Sequence, residues 1–139
     1  MATSPESSAW RTALIVEPSQ FNRMGLRHLC RRVGCERILE EEDAAGALAT
    51  LSAELVDLVL VAWELPDQGG ATLVRRLRAR NRQHPPVVVV VDDQMDKPAL
   101  VSAIKAGAAG RLARPWDPEH LEHILREAAP PERRADATE

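Results

Sequence analysis

The run Leu58-Val59-Leu60-Val61-Ala62-Trp63 constrains this chain more than any other stretch. An unbroken apolar run of strand length suits a strand covered on both faces. Such strands belong to parallel sheets wrapped in helices, because the crossover connections lay helices on each face. The run leads into Glu64-Leu65-Pro66-Asp67-Gln68-Gly69-Gly70, a loop, and then into an arginine-rich helical segment. In open sheets of this kind ligands bind beyond the carboxyl ends of the strands. Any chemistry is therefore expected between Ala62 and Gly70, and that segment begins with a methyl side chain.

The other segments supply the alternation that such a strand demands. Thr12 to Glu17 reads as a first strand ended by Pro18. Ser19 is placed to cap a helix reaching about Val33, whose buried face carries Leu26, Leu29, Cys30 and Val33 at helical spacing. Arg23, Arg27 and Arg31 fall on another face, and Gly34 closes the helix. Glu36 to Glu40 reads as a short second strand, near a sheet edge given its charges. The acids Glu40 to Asp43 open a second helix to about Ala53, where first-turn carboxylates favour the helix dipole. Gly70 to Arg80 follows as a third helix with Leu73, Val74 and Leu77 inward. Val87 to Val91 is a fourth strand, Lys97 to Ala106 a fourth helix stopped by Gly107, and Gly110 to Ala113 a fifth strand. Asp117 caps a last helix with Leu121, Ile124 and Leu125 inward. Five strands alternating with five helices predict an α/β, doubly wound, five-stranded parallel sheet of flavodoxin-like order 2-1-3-4-5.

A chain of 139 residues is one domain by size. We divide it into an N-terminal arm at 1–10, a folded unit at 11–128 and a solvated tail at 129–139. The formal net charge of −3 argues against a general nucleic-acid or anionic-membrane binder, so neither DNA nor membrane is expected as a partner. Cys30 and Cys35 form no C-x-x-C pair and have no histidine at ligand spacing, so no zinc site is expected. Two such thiols fit a reducing compartment. With no apolar run near the roughly 18 residues of a membrane helix and no signal-like start, the cytoplasm is the expected location. The glycine patterns of dinucleotide and triphosphate sites are absent, so no cofactor and no enzymatic activity are expected.

The segments LIVEPS, EEDAAGAL, DLVLVAWELPDQGG, PPVVVV and AGAAGRLARPWDPEHL, in that order, resemble the response-regulator receiver domain of the CheY-like kind over about residues 12 to 127. The resemblance implies a phosphorylation switch. Family members carry an acidic pair after strand one, a phosphoacceptor Asp ending strand three, a Ser or Thr ending strand four, and a Lys before Pro after strand five. The carboxylates would hold one Mg²⁺ through oxygens, and metal and lysine together would neutralise the transferred phosphoryl group.

This sequence departs from that set at nearly every position. The acidic pair aligns with Glu17-Pro18, the phosphoacceptor with Ala62, the hydroxyl with Val91, the lysine with Arg114 and the aromatic switch with Arg111. Glu64 joins them in the degenerate pocket. We expect Glu17 to pair with Arg114, since a partly buried arginine without a carboxylate is costly. Asp67 reads as a solvated turn residue, and Arg114-Pro115 is a candidate cis peptide by resemblance. The expected function is that of a stand-alone pseudo-receiver acting through phosphorylation-independent protein contacts in bacterial two-component signalling. Its candidate interaction face, also a candidate homodimer face, is helix four, strand five and helix five, with Lys105, Arg111, Trp116 and His123. Trp116 either anchors a partner there or staples the last helix to the sheet. One alternative is a sensor of a nucleotide messenger, since some CheY-like proteins bind cyclic di-GMP through arginines; Arg75, Arg76, Arg78, Arg80 and Arg82 are the candidates here. The other is an ordinary phosphorylated response regulator.

Overall fold

A computed structural model describes residues 10–80 and 85–128. Its strands are β1 (Thr12–Val16), β2 (Arg37–Glu41), β3 (Leu58–Ala62), β4 (Val87–Val91) and β5 (Gly110–Leu112). Its helices are α1 (Gln20–Arg32), α2 (Ala44–Ala53), α3 (Gly70–Arg80), α4 (Lys97–Ala106) and α5 (Pro118–Ala128). The strands pair in parallel in the order β2-β1-β3-β4-β5. Apart from the start of α2, each element falls within two residues of its sequence-based position.

Alternation along the buried strands feeds two cores. Ala13, Ile15, Leu58, Leu60, Val87 and Val89 face α1 and α5, where Leu26, Leu29, Leu121 and Leu125 meet them. Leu14, Val16, Val59, Val61, Val88 and Val90 face α2, α3 and α4, through Leu48, Leu73, Leu77 and Ala103 among others. β1, β3 and β4 are buried along their whole length, as the continuous apolar runs require of strands covered on both faces.

Ser19 caps α1 as expected, its hydroxyl accepting the Asn22 amide at 3.2 Å. The other end of α1 is a Schellman turn. Gly34, at φ 101°, donates to the Arg31 carbonyl at 3.1 Å, and Cys35 donates to the Cys30 carbonyl at 3.0 Å.

Three expectations shift. Trp10, assigned to the arm, is buried against the first core, because an indole next to the start of β1 finds apolar cover there; the arm through residue 9 and the tail from 129 lie outside the described residues. β2 runs one residue past its expected end at Glu40, so that Glu41 joins it, and the following helix starts only at Ala44. Register with β1 extends the strand to Val16↔Glu41. Glu40 then bridges Arg23 at 3.2 Å and Arg27 at 2.8 Å, while Glu41 accepts from the Thr50 hydroxyl at 2.6 Å. Of the acid cluster, only Asp43 serves the helix start, as N-cap to the Gly46 amide at 2.8 Å.

Candidate functional site

β1, β3 and β4 finish at one edge of the sheet, with Val16 beside Val61 and Ala62 beside Val91. Leu112 of β5 lies next to Val91. The turns leaving these strands carry the residues singled out in the sequence, and the topology brings Glu17, Ala62, Val91 and Arg114 to the same rim. Ala62 and Val91 are both buried, at 7% and 8% exposure.

Glu17 and Arg114 do not pair. Pro18 turns the chain so that the buried Glu17 carboxylate folds onto the start of α1, accepting the Ser19 amide at 2.8 Å. Helix N-termini offer such unpaired donors and favour negative charge. The Glu17 amide meanwhile donates to the Glu41 carbonyl at 2.9 Å. Arg114 is held by Asp93 instead: Nη1 lies 2.7 Å from one carboxylate oxygen, and the Arg114 amide lies 2.8 Å from the other. Nη2 also donates to Asn22 Oδ1 on α1, and the guanidinium sits 4.7 Å from the Trp116 ring centroid. Strand order explains the choice of partner. β5 neighbours β4, whereas β1 is three strand spacings away, roughly 14 Å at the usual separation. Asp93 is the local carboxylate.

Between the β3–α3 and β4–α4 turns lies an open cleft of about 450 Å³, lined by Trp63, Glu64, Asp92, Asp93, Met95 and Asp96 among others. Its acids are largely committed to structure. Asp92 accepts the Gln94 amide at 2.7 Å, Asp96 caps α4 through the Ala99 amide at 2.9 Å, and Asp93 holds Arg114. Glu64 stands exposed on the wall, where its backbone pairs with Gly69. Among the described residues, no group of three or more His, Cys, Asp or Glu side chains converges as a cation site. These residues do not fit the Mg²⁺ that the resemblance implies. Glu17 is turned onto Ser19, and the side chains of Pro18 and Ala62 bring no oxygen.

Asp67 is exposed in the turn, as expected, and it also reaches α2, accepting the Ala44 and Ala45 amides at 2.9 and 3.0 Å. These two bonds, Ala44 first, hold its carboxyl below the usual carboxylate range. A group with a lowered folded-state pKa contributes stability above its ordinary value and loses it as pH falls through the lowered one. Asp67→Ala should therefore speed hydrogen exchange at Ala44 and Ala45 at neutral pH, by several-fold in an NMR measurement. In acid strong enough to protonate Asp67, variant and parent should exchange alike. Equal exchange at neutral pH would mean that the tether carries no stability. The sequence signal for it was an Asp directly after Pro66, in a loop aimed at the helix starts.

Trp116 leaves the interaction face. It is half-buried and packs on the first core and on α1, where a Cβ at Gly25 would lie 2.7 Å from its ring. Lys105 and His123 are exposed, Arg111 is half-buried, and Val101 and Ile104 add exposed apolar surface to α4. In the arginine-rich helix, Arg75 and Arg76 are exposed, and Arg76 reaches Gln68 at 3.5 Å. Arg78 donates to the Pro86 carbonyl at 3.1 Å. The Arg80 side chain and Arg82 lie outside the described residues. The Arg114–Pro115 peptide is cis. Among the described residues, no helix is long and apolar enough to cross a membrane.

Known proteins agree with this architecture. The family described as the response regulator receiver domain matches residues 13–126. The chemotaxis protein CheY1 of Helicobacter pylori strain J99 is 29% identical over 113 residues, covering 81% of this chain and 91% of that protein. The structure of a CheY-like response regulator receiver domain from Methylobacillus flagellatus superposes with a TM-score of 0.73 at 29% identity, covering 84% of this chain and 97% of the other. A signal receiver domain of an HD domain-containing protein from Pseudomonas fluorescens Pf-5 gives 0.73 at 27%, covering 85% and 93%. With the fold, the strand order and almost the whole described chain accounted for, this protein belongs to the response regulator receiver domain family.

Proposed function

We propose that this protein is a pseudo-receiver, a CheY-like receiver whose signalling contacts do not depend on aspartyl phosphorylation. Receiver domains are part of two-component signalling, so the distinctive element is the proposed loss of the chemical step. The observation that carries it is Ala62, buried at the end of β3 with a methyl group where the resemblance calls for a nucleophilic carboxylate. Three neighbours support the reading. Val91 has no hydroxyl to grip a phosphoryl oxygen, the Glu17 carboxylate is turned onto Ser19, and the Arg114 guanidinium is occupied by Asp93 and Asn22. Phosphoryl transfer relies on positioned cations around the developing charge, and here Arg114 is already neutralised by Asp93.

The output is contact with a protein partner in the cytoplasm, without enzymatic activity. We assign that contact to α4, β5 and α5, which carry Lys105, Arg111 and His123 together with the exposed Val101 and Ile104. Apolar side chains grouped inside a polar rim are the usual composition of a docking surface.

Incubation with acetyl phosphate and Mg²⁺, followed by intact mass spectrometry, tests the reading. The mass should stay that of the unmodified chain under conditions that label a competent receiver within minutes. A hydroxylamine-sensitive phosphoryl adduct on any aspartate, Asp67 and Asp93 included, would end it.

A further inference from the structure

The turn that closes α1 brings together the chain's two cysteines, a pair that plays no part in the receiver site. In a Schellman turn, the third residue from the helix end and the second beyond the cap share a backbone hydrogen bond, and their side chains pack together. Here those two positions are Cys30 and Cys35, joined by the 3.0 Å bond from the Cys35 amide to the Cys30 carbonyl. Gly34 makes the arrangement attainable by taking the left-handed conformation between them. Both cysteines are free and buried in one apolar cluster, with Trp10, Leu26 and Leu29 for neighbours. A disulfide requires α-carbons roughly 4.4–6.8 Å apart and side chains that point at each other. The hydrogen bond that closes this six-residue turn holds the two backbones together, and the Cys30 thiol interacts with that of Cys35.

We propose that Cys30 and Cys35 form an intramolecular redox pair, a dithiol that a thiol oxidant such as hydrogen peroxide converts to a disulfide within the folded chain. The electrons balance without any other group. One thiolate attacks peroxide, an S–O bond forms as the O–O bond breaks, and the hydroxide released takes up a proton to leave as water. The second thiol then attacks that sulfenic sulfur, the S–S bond forms, and a second water departs. Two thiols are oxidised by two electrons, and one peroxide is reduced to two waters.

Contact between the thiols also sets the tempo. Hydrogen bonding to Cys35 is the first cause, and burial the second, of a Cys30 thiol held far above its ordinary pKa. In the closed turn the Cys30 thiol is therefore protonated and slow, since the thiolate is the reactive form. Oxidation proceeds through brief opening of the turn, and once the bond forms, that turn is fastened between α1 and β2.

The test exposes the native chain to peroxide or diamide, removes the oxidant, then unfolds it in denaturant with N-ethylmaleimide and records the intact mass. The expected product is a monomer two hydrogens lighter that takes no maleimide, and takes two after reduction. Circular dichroism before unfolding should match that of the untreated chain. Cys35→Ser should give no such species, and its Cys30 should stay alkylatable or carry added oxygen. The proposal is overturned if the native chain keeps both thiols alkylatable, if its only oxidised forms are linked dimers or sulfinic and sulfonic acids, or if the disulfide forms only once denaturant has unfolded the protein. None of these outcomes bears on Ala62, so the redox pair and the silent receiver stand or fall separately.

Discussion

Ala62→Asp should destabilise the protein at neutral pH and still not make it a working phosphoacceptor. The position is 7% exposed, and the natural cation of the rim is already bound to Asp93 and Asn22. A carboxylate introduced there lacks the Arg114 guanidinium as a free partner; an unsatisfied buried polar group costs about 1–3 kcal/mol, and a charged one more. Burial and the nearby Glu17 and Asp93 disfavour the ionised form, which raises the carboxyl's folded-state pKa. The sign follows from linkage. Below the unfolded carboxyl pKa both states are protonated and the penalty is absent. It grows as pH rises toward the folded value and is complete above it. Urea melts at acid and neutral pH should show the parent–variant gap widening as pH increases. The companion result is intact mass after acetyl phosphate and Mg²⁺, where Ala62→Asp should show at most trace labelling. Val91 and Pro18 would still leave the phosphoryl group without its hydroxyl and one metal-binding acid. Rapid, stoichiometric labelling of this single variant would mean that the rim is far closer to a working site than its side chains indicate.

Two adjacent glycines should answer differently to the same methyl group. At Gly70, the first residue of α3, a Cβ would fall 2.4 Å from the Trp63 carbonyl oxygen and 2.4 Å from its ring. At Gly69 it would meet nothing within 4 Å. Alanine is favoured over glycine in a helix by up to about 1 kcal/mol, so propensity alone would make Gly70→Ala the better change. The clash outweighs that gain because one of the struck atoms is backbone and cannot swing aside. Overpacking of this kind costs about 1–3 kcal/mol. Gly70→Ala should therefore lower the denaturation midpoint and shift Trp63 emission, since that ring lines the cleft. Gly69→Ala should stay within about 0.5 kcal/mol of the parent, as lost capping preference and a less flexible unfolded chain offset each other. Equal midpoints for the two variants would show that the β3–α3 turn relaxes freely.

The sheet order could be read from the sequence because its signal is dense. Three strands are almost unbroken apolar runs, and capping residues such as Ser19 and Asp117 mark where helices begin. The residues at the strand ends were legible for the same reason: once Leu58 to Ala62 is a central strand, Ala62 has only one place to be. Side-chain partnerships at that rim were less so. Glu17 was paired with Arg114 from the cost of an unpaired arginine, although the order 2-1-3-4-5 already put β5 next to β4 and its Asp93. Asp67 reads locally as a turn residue, and its bonds to Ala44 and Ala45 depend on two loops meeting across the sheet edge. The acids from Glu40 onward read as a helix start, yet Glu41 pairs with Val16 in β2 and the helix begins at Ala44. Trp10 went into the arm because its neighbours are polar, and a lone indole has no period to betray the surface that covers it.

The two outer strands bear on how copies of this chain can meet. β2 carries Arg37, Glu40 and Glu41 along one margin of the sheet, and β5 offers only three residues along the other. A charged margin and a very short one are both poor templates for adding a foreign strand. Crowded chains therefore have little route into fibrous β-aggregates through these borders.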